Sequence, residues 1–498
     1  MHRPGAARNA GAWEVTLVAN ERSGAALYVQ IVQAVVADIR RGRLIPGQRL
    51  PGTRTLAERL GVHRNTVLAA YAELRAEGWI ESDPARQTFV CQALPEVPLG
   101  KTTGRRSRPA APPTGFPVEQ SALPPIGDVS QGLLLGEGTP DLRLAPRVAL
   151  SRAYRHVIRG RDLGVLGYGD ARGHARLRQA LAHMLSATRG LGVGADQVLV
   201  TRGSQMALEL VSRALCGPGS LVAVEALGYR PAWQALAATG ADLVPIALDA
   251  EGLRVDLLAE LVQRRPLRAV YVTPHHQYPT TATLSAARRL ELLDLARRER
   301  FAIIEDDYDH EFHYQGRPVL PLASADEGNV VVHIGTLSKI VAPALRIGYL
   351  TGPAPLLQRC LAERQRLDRQ GDLVTEAAVA ELLEEGELQR HVRRMRRIYA
   401  TRRDALVASL ERYLSGTLSC TPPPGGMALW AQAHEVDLER WAEQAAAQGL
   451  HLFTARHFAF DGRAQPYLRL GFASRSAEET ARAIERLARL RPASARRR

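Results

Sequence analysis

Lysine is nearly missing from this chain: among 498 residues and 65 basic side chains, only Lys101 and Lys339 are lysines, and arginine supplies the rest. Arginine stays protonated and cannot condense with an aldehyde, whereas an ε-amine can once it is deprotonated. A lysine kept in such a background is therefore a candidate for chemistry closed to arginine. Cysteine is scarce too. Cys91, Cys216, Cys360 and Cys420 show neither metal-ligand spacing nor close pairs, so no disulfide framework and no metal are expected. No stretch approaches the roughly 20 apolar residues of a membrane span. The opening MHRPGAARNAGAWEV lacks the apolar core of a signal peptide, so a cytoplasmic location is expected. The balance of 46% hydrophobic and 23% charged residues is that of a globular chain rather than a disordered one. Its length exceeds one ordinary core and implies two domains of unequal size.

The net charge of +14 is unevenly spread. Residues 1–98 carry 12 arginines against 9 acids, residues 99–115 carry 4 basic residues and no acid, and residues 486–498 carry 6 arginines and no acid, which leaves the long middle close to neutral. The excess sits in an N-terminal unit, a linker and a tail, where a polyanion such as DNA would meet it.

Helical spacing over LYVQIVQAVVADIRRG puts Tyr28, Ile31, Val32, Val35 and Ile39 on one face, and Gly42 ends the helix. Two short helices follow, Thr53–Leu60 and about Asn65–Glu77, separated by GVHR. Leu56, Leu60, Val62, Val67, Tyr71 and Leu74 form their shared apolar side, which is helix-turn-helix geometry. GWIESDPARQTFV then reads as two strands around a turn, where a wing would lie. The predicted boundaries are a DNA-binding domain over 21–93, a Pro/Gly/Ser/Arg-rich linker over 94–125, a large domain over 126–487 and a basic tail over 488–498. Within the large domain, QVLVT, SLVAVEA, RAVYVTP, FAIIEDD, NVVVHIG and LRIGYLT alternate with amphipathic segments. That alternation predicts an α/β fold with a mostly parallel sheet, helices on both faces and a smaller C-terminal α+β lobe.

The segment RLPGTRTLAERLGVHRNTVLAAYAELRAEGWIES resembles the GntR class of winged helix-turn-helix regulators. The resemblance implies that Arg54 meets the phosphate backbone of double-stranded operator DNA, while Arg64, Asn65 and Thr66 open a recognition helix in the major groove. His63 stands where the class usually has Ser or Thr, which predicts a weaker N-cap. The wing tip DPARQ lacks the class's Gly-Ser-Gly turn.

HIGTLSKIVAPALRIGYL resembles the Schiff-base segment of fold-type I aminotransferases, and more closely that of the MocR subfamily of GntR regulators, a likeness that spans about 130–480. It implies pyridoxal 5'-phosphate as cofactor, with Lys339 as the Schiff-base lysine and Thr336, Ser338 and Arg346 as phosphate ligands. In VTRGSQMALEL the amides around Gly203, Ser204 and Gln205 would cradle the same phosphate at a helix N-terminus. By the same resemblance Tyr229 stacks on the pyridine ring, Asp306 ion-pairs the ring nitrogen and Tyr308 hydrogen-bonds the phenolic oxygen. Asp307 and Asp309 are expected to be helix-capping or solvated acids. VTPHHQYPTTATLS corresponds to a family stretch in which His275 replaces a serine and Thr281 a glycine, and which brings His276 and Gln277 near the cofactor. Arg469 in YLRLGFA matches the arginine that grips an amino acid's α-carboxylate.

Together these features imply a ligand-responsive bacterial transcription regulator rather than an enzyme. It would form a head-to-tail homodimer, with an amino compound or pyridoxal phosphate itself as effector. A genuine aminotransferase with an accessory DNA-binding domain is the other reading that the same residues permit.

Overall fold

A computed structural model describes residues 26–83, 87–94, 132–316 and 319–492. The chain divides into two compact units, Met1–Gln120 and Ser121–Arg498. The expected linker beyond residue 94, the tip of the wing at 84–86 and the tail beyond 492 lie outside the described residues. Among the described residues no helix is long and apolar enough to cross a membrane.

The first unit packs α1 (Leu27–Arg40) on α2 (Thr53–Leu60) and α3 (Arg64–Ala76). Ile31, Val32, Val35 and Ile39 are buried as their spacing predicts, together with Leu56, Val67, Tyr71 and Leu74. Tyr28 is the exception: it lies on the exposed side of the first turn of α1. Gly61 takes φ +65° and closes α2, a conformation glycine adopts without the Cβ clash that disfavours it elsewhere. The Tyr71 hydroxyl donates to Pro51 O at 2.9 Å and pins α3 to the turn before α2. Strands β1 (Arg49–Leu50), β2 (Ile80–Ser82) and β3 (Thr88–Val90) form a small antiparallel sheet in the order β1-β3-β2. Asp83 and Gln87 bond each other across the base of the wing turn, Gln87 N to Asp83 Oδ1 at 2.8 Å and Asp83 N to Gln87 O at 3.0 Å.

In the second unit, β4 (Leu133–Leu134) leads into α4 (Arg147–Arg159) and α5 (Ala175–Arg189). Next come β5 (Leu199–Thr201), α6 (Ser204–Leu215), β6 (Leu221–Glu225), α7 (Arg230–Ala237) and β7 (Asp242–Ile246). A short hairpin, β8 (Leu248–Asp249) and β9 (Gly252–Leu253), precedes α8 (Val255–Arg264), β10 (Ala269–Val272), α9 (Ala286–Glu299) and β11 (Ala302–Asp307). The central sheet is completed by β12 (Val331–Thr336) and β13 (Gly348–Thr351). Its order is β5-β13-β12-β11-β10-β6-β7, and β13 alone runs against its neighbours. Strands such as Leu221–Glu225 and Val331–Thr336 are buried at every position, because helices cover both faces. Leu208, Val211, Trp233 and Leu236 pack on one side, Leu258, Leu292 and Leu295 on the other. The sequence reading did not single out β7, whose DLVPI is largely accessible at the sheet edge, where a proline is tolerated.

Helices α10 (Ala354–Leu367), α11 (Leu373–Glu384) and the long α12 (Glu387–Leu414) lead to the smaller lobe. There β14 (Leu418–Ser419), β15 (Ala428–Ala433), α13 (Leu438–Ala447), β16 (Leu450–His451), β17 (Phe453–Thr454), β18 (Tyr467–Gly471) and α14 (Ala477–Arg489) complete the chain. The four-stranded sheet β14-β15-β18-β17 shares a core with α12, α13 and α14 built on Leu406, Leu410, Trp441, Leu468 and Leu487. The last helix runs two residues past 487. Strand β4 pairs in parallel with β16, Leu133 opposite Leu450, so the beginning of the unit is stitched into its end.

Candidate functional site

In the first unit the three residues expected on DNA, Arg64, Asn65 and Thr66, form the first turn of α3, with Arg64 and Asn65 exposed. Arg54 is exposed in the first turn of α2. His63 is a working cap after all: its Nδ1 accepts from Asn65 N at 3.2 Å. A neutral imidazole nitrogen thus does what a hydroxyl oxygen would do, and fixes the entry of the recognition helix.

In the second unit the carboxyl ends of the parallel strands carry the expected cofactor residues, as open α/β sheets place their ligands. After β12 the chain turns and brings Lys339 Nζ within 3.0 Å of Gly138 O. Lys339 is half-buried rather than sealed in the core. Burial, with the Arg469 guanidinium beside it, pushes its amine below the usual lysine range, which favours the deprotonated, nucleophilic form.

Along β11 alternate side chains face opposite ways. Asp306 receives the Tyr271 hydroxyl on Oδ2 at 2.9 Å, while its buried Oδ1 has no partner among the described residues. Burial drives its carboxyl up to about 7. A cationic N–H on a ring seated here would satisfy that oxygen and hold the acid ionised.

The phosphate end is equally legible. No side chain caps α6, whose N-cap is Gly203 at φ +78°. A Cβ on Gly203 would come within 2.9 Å of Arg346 Nη2, so glycine is what lets the guanidinium lie across the helix end. Ser204 and Gln205 open α6 with unbonded helix-end amides of the kind that bind anions. The Gln205 side chain turns away to Pro231 O at 3.2 Å. Ser338 Oγ is buried without a partner among the described residues. Thr336 is tied to the backbone instead: its hydroxyl donates to Ile347 O at 3.3 Å and accepts from Ser338 N at 3.1 Å. An uncapped helix end, a hydroxyl without a partner and a guanidinium together fit a phosphate dianion.

Tyr229 meets Tyr278 edge-on with ring centroids 5.6 Å apart, and burial raises its hydroxyl to about 12. The Tyr308 hydroxyl donates to His276 O at 3.0 Å. Gln277 ties its loop together and to the loop after β6, accepting from the Thr280 hydroxyl at 2.6 Å and donating to Leu227 O at 2.8 Å. Thr281 takes φ +62° where the resembling segment has glycine. Arg469, 2% exposed on β18, donates to Pro279 O at 2.8 Å and sits 4.7 Å from the Tyr278 ring centre. Its Nε has no partner, and it forms no ion pair among the described residues.

Two acids differ from expectation. Asp307 and Asp309 are neither helix caps nor solvated: they are 3% and 1% exposed. Asp307 accepts from Arg189 Nε at 3.0 Å, and Arg189 Nη2 also pairs with Glu311 at 2.6 Å. Although burial opposes it, His310 and Arg189 hold Asp307 well below the usual carboxylate range. Asp309 bonds His276 Nδ1 at 2.7 Å. Sequence reasoning missed Arg189, because nothing local in ATRG marks an arginine whose partners lie more than a hundred positions away.

Residues 130–487 match the family model "Aminotransferase class I and II", and residues 27–90 match "Bacterial regulatory proteins, gntR family". The chain is 33% identical to the probable rhizopine catabolism regulatory protein MocR of Rhizobium meliloti, over 87% of each. It is 32% identical to the HTH-type transcriptional regulator TauR of Rhodobacter capsulatus, over 92% of this chain and 95% of TauR. The multiple substrate aminotransferase of Thermococcus profundus superposes with a TM-score of 0.68 at 30% identity, over 72% of this chain and 91% of that one. LysN, the α-aminoadipate aminotransferase of Thermus thermophilus, solved with N-(5'-phosphopyridoxyl)-L-leucine, gives 0.67 at 28% identity, over 72% and 92%. This chain therefore belongs to the MocR-type GntR transcription regulators, in which a helix-turn-helix unit is fused to a pyridoxal-phosphate-binding domain of aminotransferase class I and II.

Proposed function

We propose that this regulator changes its hold on operator DNA when a carboxylate-bearing amino compound enters the cleft between Lys339 and Arg469. One observation carries the reading: Arg469 is a buried guanidinium with no carboxylate partner among the described residues. An unpaired buried charge is costly, and an incoming carboxylate would relieve that cost through a bidentate pair. When bound, pyridoxal phosphate supplies an electrophilic carbon for an amine and an electron-withdrawing ring.

The chain's own residues do the rest. Lys339 presents its amine in the cleft. Asp306 holds a proton at the ring nitrogen, and Tyr271 orients that carboxylate through its hydroxyl. Gly203, Ser204, Gln205, Ser338 and Arg346 hold the phosphate, with Thr336 ordering the Ser338 amide. Tyr229 packs on the ring, and Tyr308 reaches the phenolic oxygen from its place on His276 O. In the first unit Arg54 grips phosphate, while Arg64, Asn65 and Thr66 read base edges. The protein works in the cytoplasm as a head-to-tail homodimer, with residues 94–125 as linker and 488–498 as a basic tail. Its aminotransferase-like domain senses rather than turns over substrate.

Operator titration at one fixed salt concentration, with and without candidate amino acids, tests this in the wild type and Arg469→Ala. The variant should keep cofactor while losing the effector's influence on DNA, because linkage ties the two binding free energies. Equal responses in both proteins would make Arg469 structural. A response to pyridoxal phosphate alone would make the cofactor itself the effector. The likeness to aminotransferases at 30% identity favours a second reading, an enzyme with an accessory DNA-binding domain. Steady-state transamination across amino and keto acids would replace the first reading with it.

A further inference from the structure

Beside the cleft, three imidazoles from two distant segments converge, and no step above uses their side chains. His275 and His276 follow β10; His313 lies beyond β11 and bridges Gly425 as an isolated antiparallel pair. One ring nitrogen from each lies within 4.8 Å of the others. Neither nitrogen of His275 has a partner among the described residues, although the residue is 5% exposed, and both nitrogens of His313 are buried without a well-formed hydrogen bond, the Gln315 backbone lying beside the ring. Four polar atoms left this way are costly unless something absent from the protein itself satisfies them.

His276 is arranged differently, and in the sense a ligand needs. Its Nδ1 is held by Asp309 Oδ1 at 2.7 Å, which leaves Nε2 as the nitrogen free to bind. A carboxylate on the far side of a ligating imidazole fixes its tautomer and orientation. Nε2 faces Gly425, where a Cβ would come within 2.5 Å of it. Glycine at 425 keeps that side of the ring open.

We propose that His275, His276 and His313 bind a divalent late first-row transition ion of the zinc class. Three imidazoles without a thiolate or a carboxylate select this borderline group over magnesium or calcium, which take oxygen ligands. Zn–N bonds of about 2.0–2.1 Å in a tetrahedron set ligand nitrogens about 3.4 Å apart. The rings need to draw in by about 1.4 Å at most, a side-chain rotation. With three protein ligands the fourth position stays open, as in zinc sites that keep a water. The ion would clamp the loop that carries Pro279, the anchor of Arg469, to the segment after β11 that carries Tyr308. The site does not depend on the identity of the effector.

The test uses the full-length untagged chain with its cofactor, stripped of metal by a chelator and titrated with Co²⁺ under visible spectroscopy, then with Zn²⁺ under metal analysis. The wild type should take up one equivalent per chain, with the ligand-field bands of a nitrogen-ligated Co²⁺. His275→Ser and His313→Ala should each bind at least tenfold more weakly, and Asp309→Asn, which removes no ligand, about 10–100-fold more weakly. Wild-type protein that takes up no stoichiometric ion overturns the proposal whatever the variants do. So does uptake in the wild type that His275→Ser and His313→Ala, still folded by their unfolding transitions, reproduce unchanged.

Discussion

Replacing Asp306 by Asn probes a buried carboxylate whose second oxygen has no partner among the described residues and whose acidity burial has weakened. In the cofactor-free chain burial raises this acid from 3.8 to about 7, against the opposing hydrogen bond from Tyr271. The displacement corresponds to about 4 kcal/mol in favour of the protonated form. The sign follows from proton counting. Between those two values the folded chain keeps a proton that the unfolded chain has released, so stability falls as pH rises, by about 1.4 kcal/mol per pH unit, and levels off above about 7. Glu225, buried and raised to about 7 as well, adds a parallel loss. Asp306→Asn preserves the shape and an acceptor for the Tyr271 hydroxyl but has no proton to lose. Relative to wild type it should therefore gain about 3 kcal/mol between pH 5 and pH 7, with Glu225's share left in place. Denaturant unfolding of the cofactor-free protein, followed by the tryptophans of the larger unit across this range, measures the difference. Saturating pyridoxal phosphate should remove Asp306's share of the wild-type slope and leave Glu225's, since the ionised Asp306 then has a cationic partner. A stability difference between variant and wild type that is the same at pH 5 and pH 8 would refute the reasoning.

Other expectations follow from single contacts. Lys339→Ala should abolish the visible absorption band that added pyridoxal phosphate gives the wild type; an unchanged band would remove Lys339 from the cleft's chemistry. Arg64→Ala should weaken cognate operator binding by about 1–3 kcal/mol in a salt-controlled titration, whereas loss of a phosphate contact alone would mainly lower the salt slope. Arg189→Ala strips the buried Asp307 and Glu311 of their guanidinium and should cost about 3–5 kcal/mol in unfolding free energy. Thr281→Gly relieves a β-branched residue from φ +62° and should stabilise the chain by about 0.5–1 kcal/mol, net of glycine's added chain entropy; a destabilised variant would show that the threonine side chain holds the loop.

What was legible in the sequence had local causes. The helical faces of α1 to α3, the apolar runs of the central strands, the lysine after GTLS and the middle acid of EDD all announce themselves within a few residues. What was not legible depended on distant partners. Whether Asp307 and Asp309 face solvent or the core is decided by Arg189, His310 and His276. The pairing of Leu133 with Leu450 has no local signature at all. Tyr28 fitted the helical spacing but lies at the end of α1, where the packing runs out. The sequence drew attention to His275 and His276 but not to their meeting with His313, because the third histidine lies beyond another strand, a spacing that no metal-ligand pattern predicts.

The stitching of the larger unit has a consequence for its synthesis. The DNA reader is built from contacts within residues 26–94, so it can fold as soon as that length is free. The ligand unit cannot follow in the same way. Its edge strand Leu199–Thr201 waits for Gly348–Thr351, its first strand Leu133–Leu134 waits for Leu450–His451, and the smaller sheet waits for Tyr467–Gly471. Such long-range pairings close late and slowly. Gly203 and Arg346 come together only when the edge strand pairs, so the residues expected to cradle a phosphate are not assembled until the chain has been made as far as Thr351. During that interval, and in any chain cut short, the cell holds a DNA-binding module complete in itself and free of ligand control.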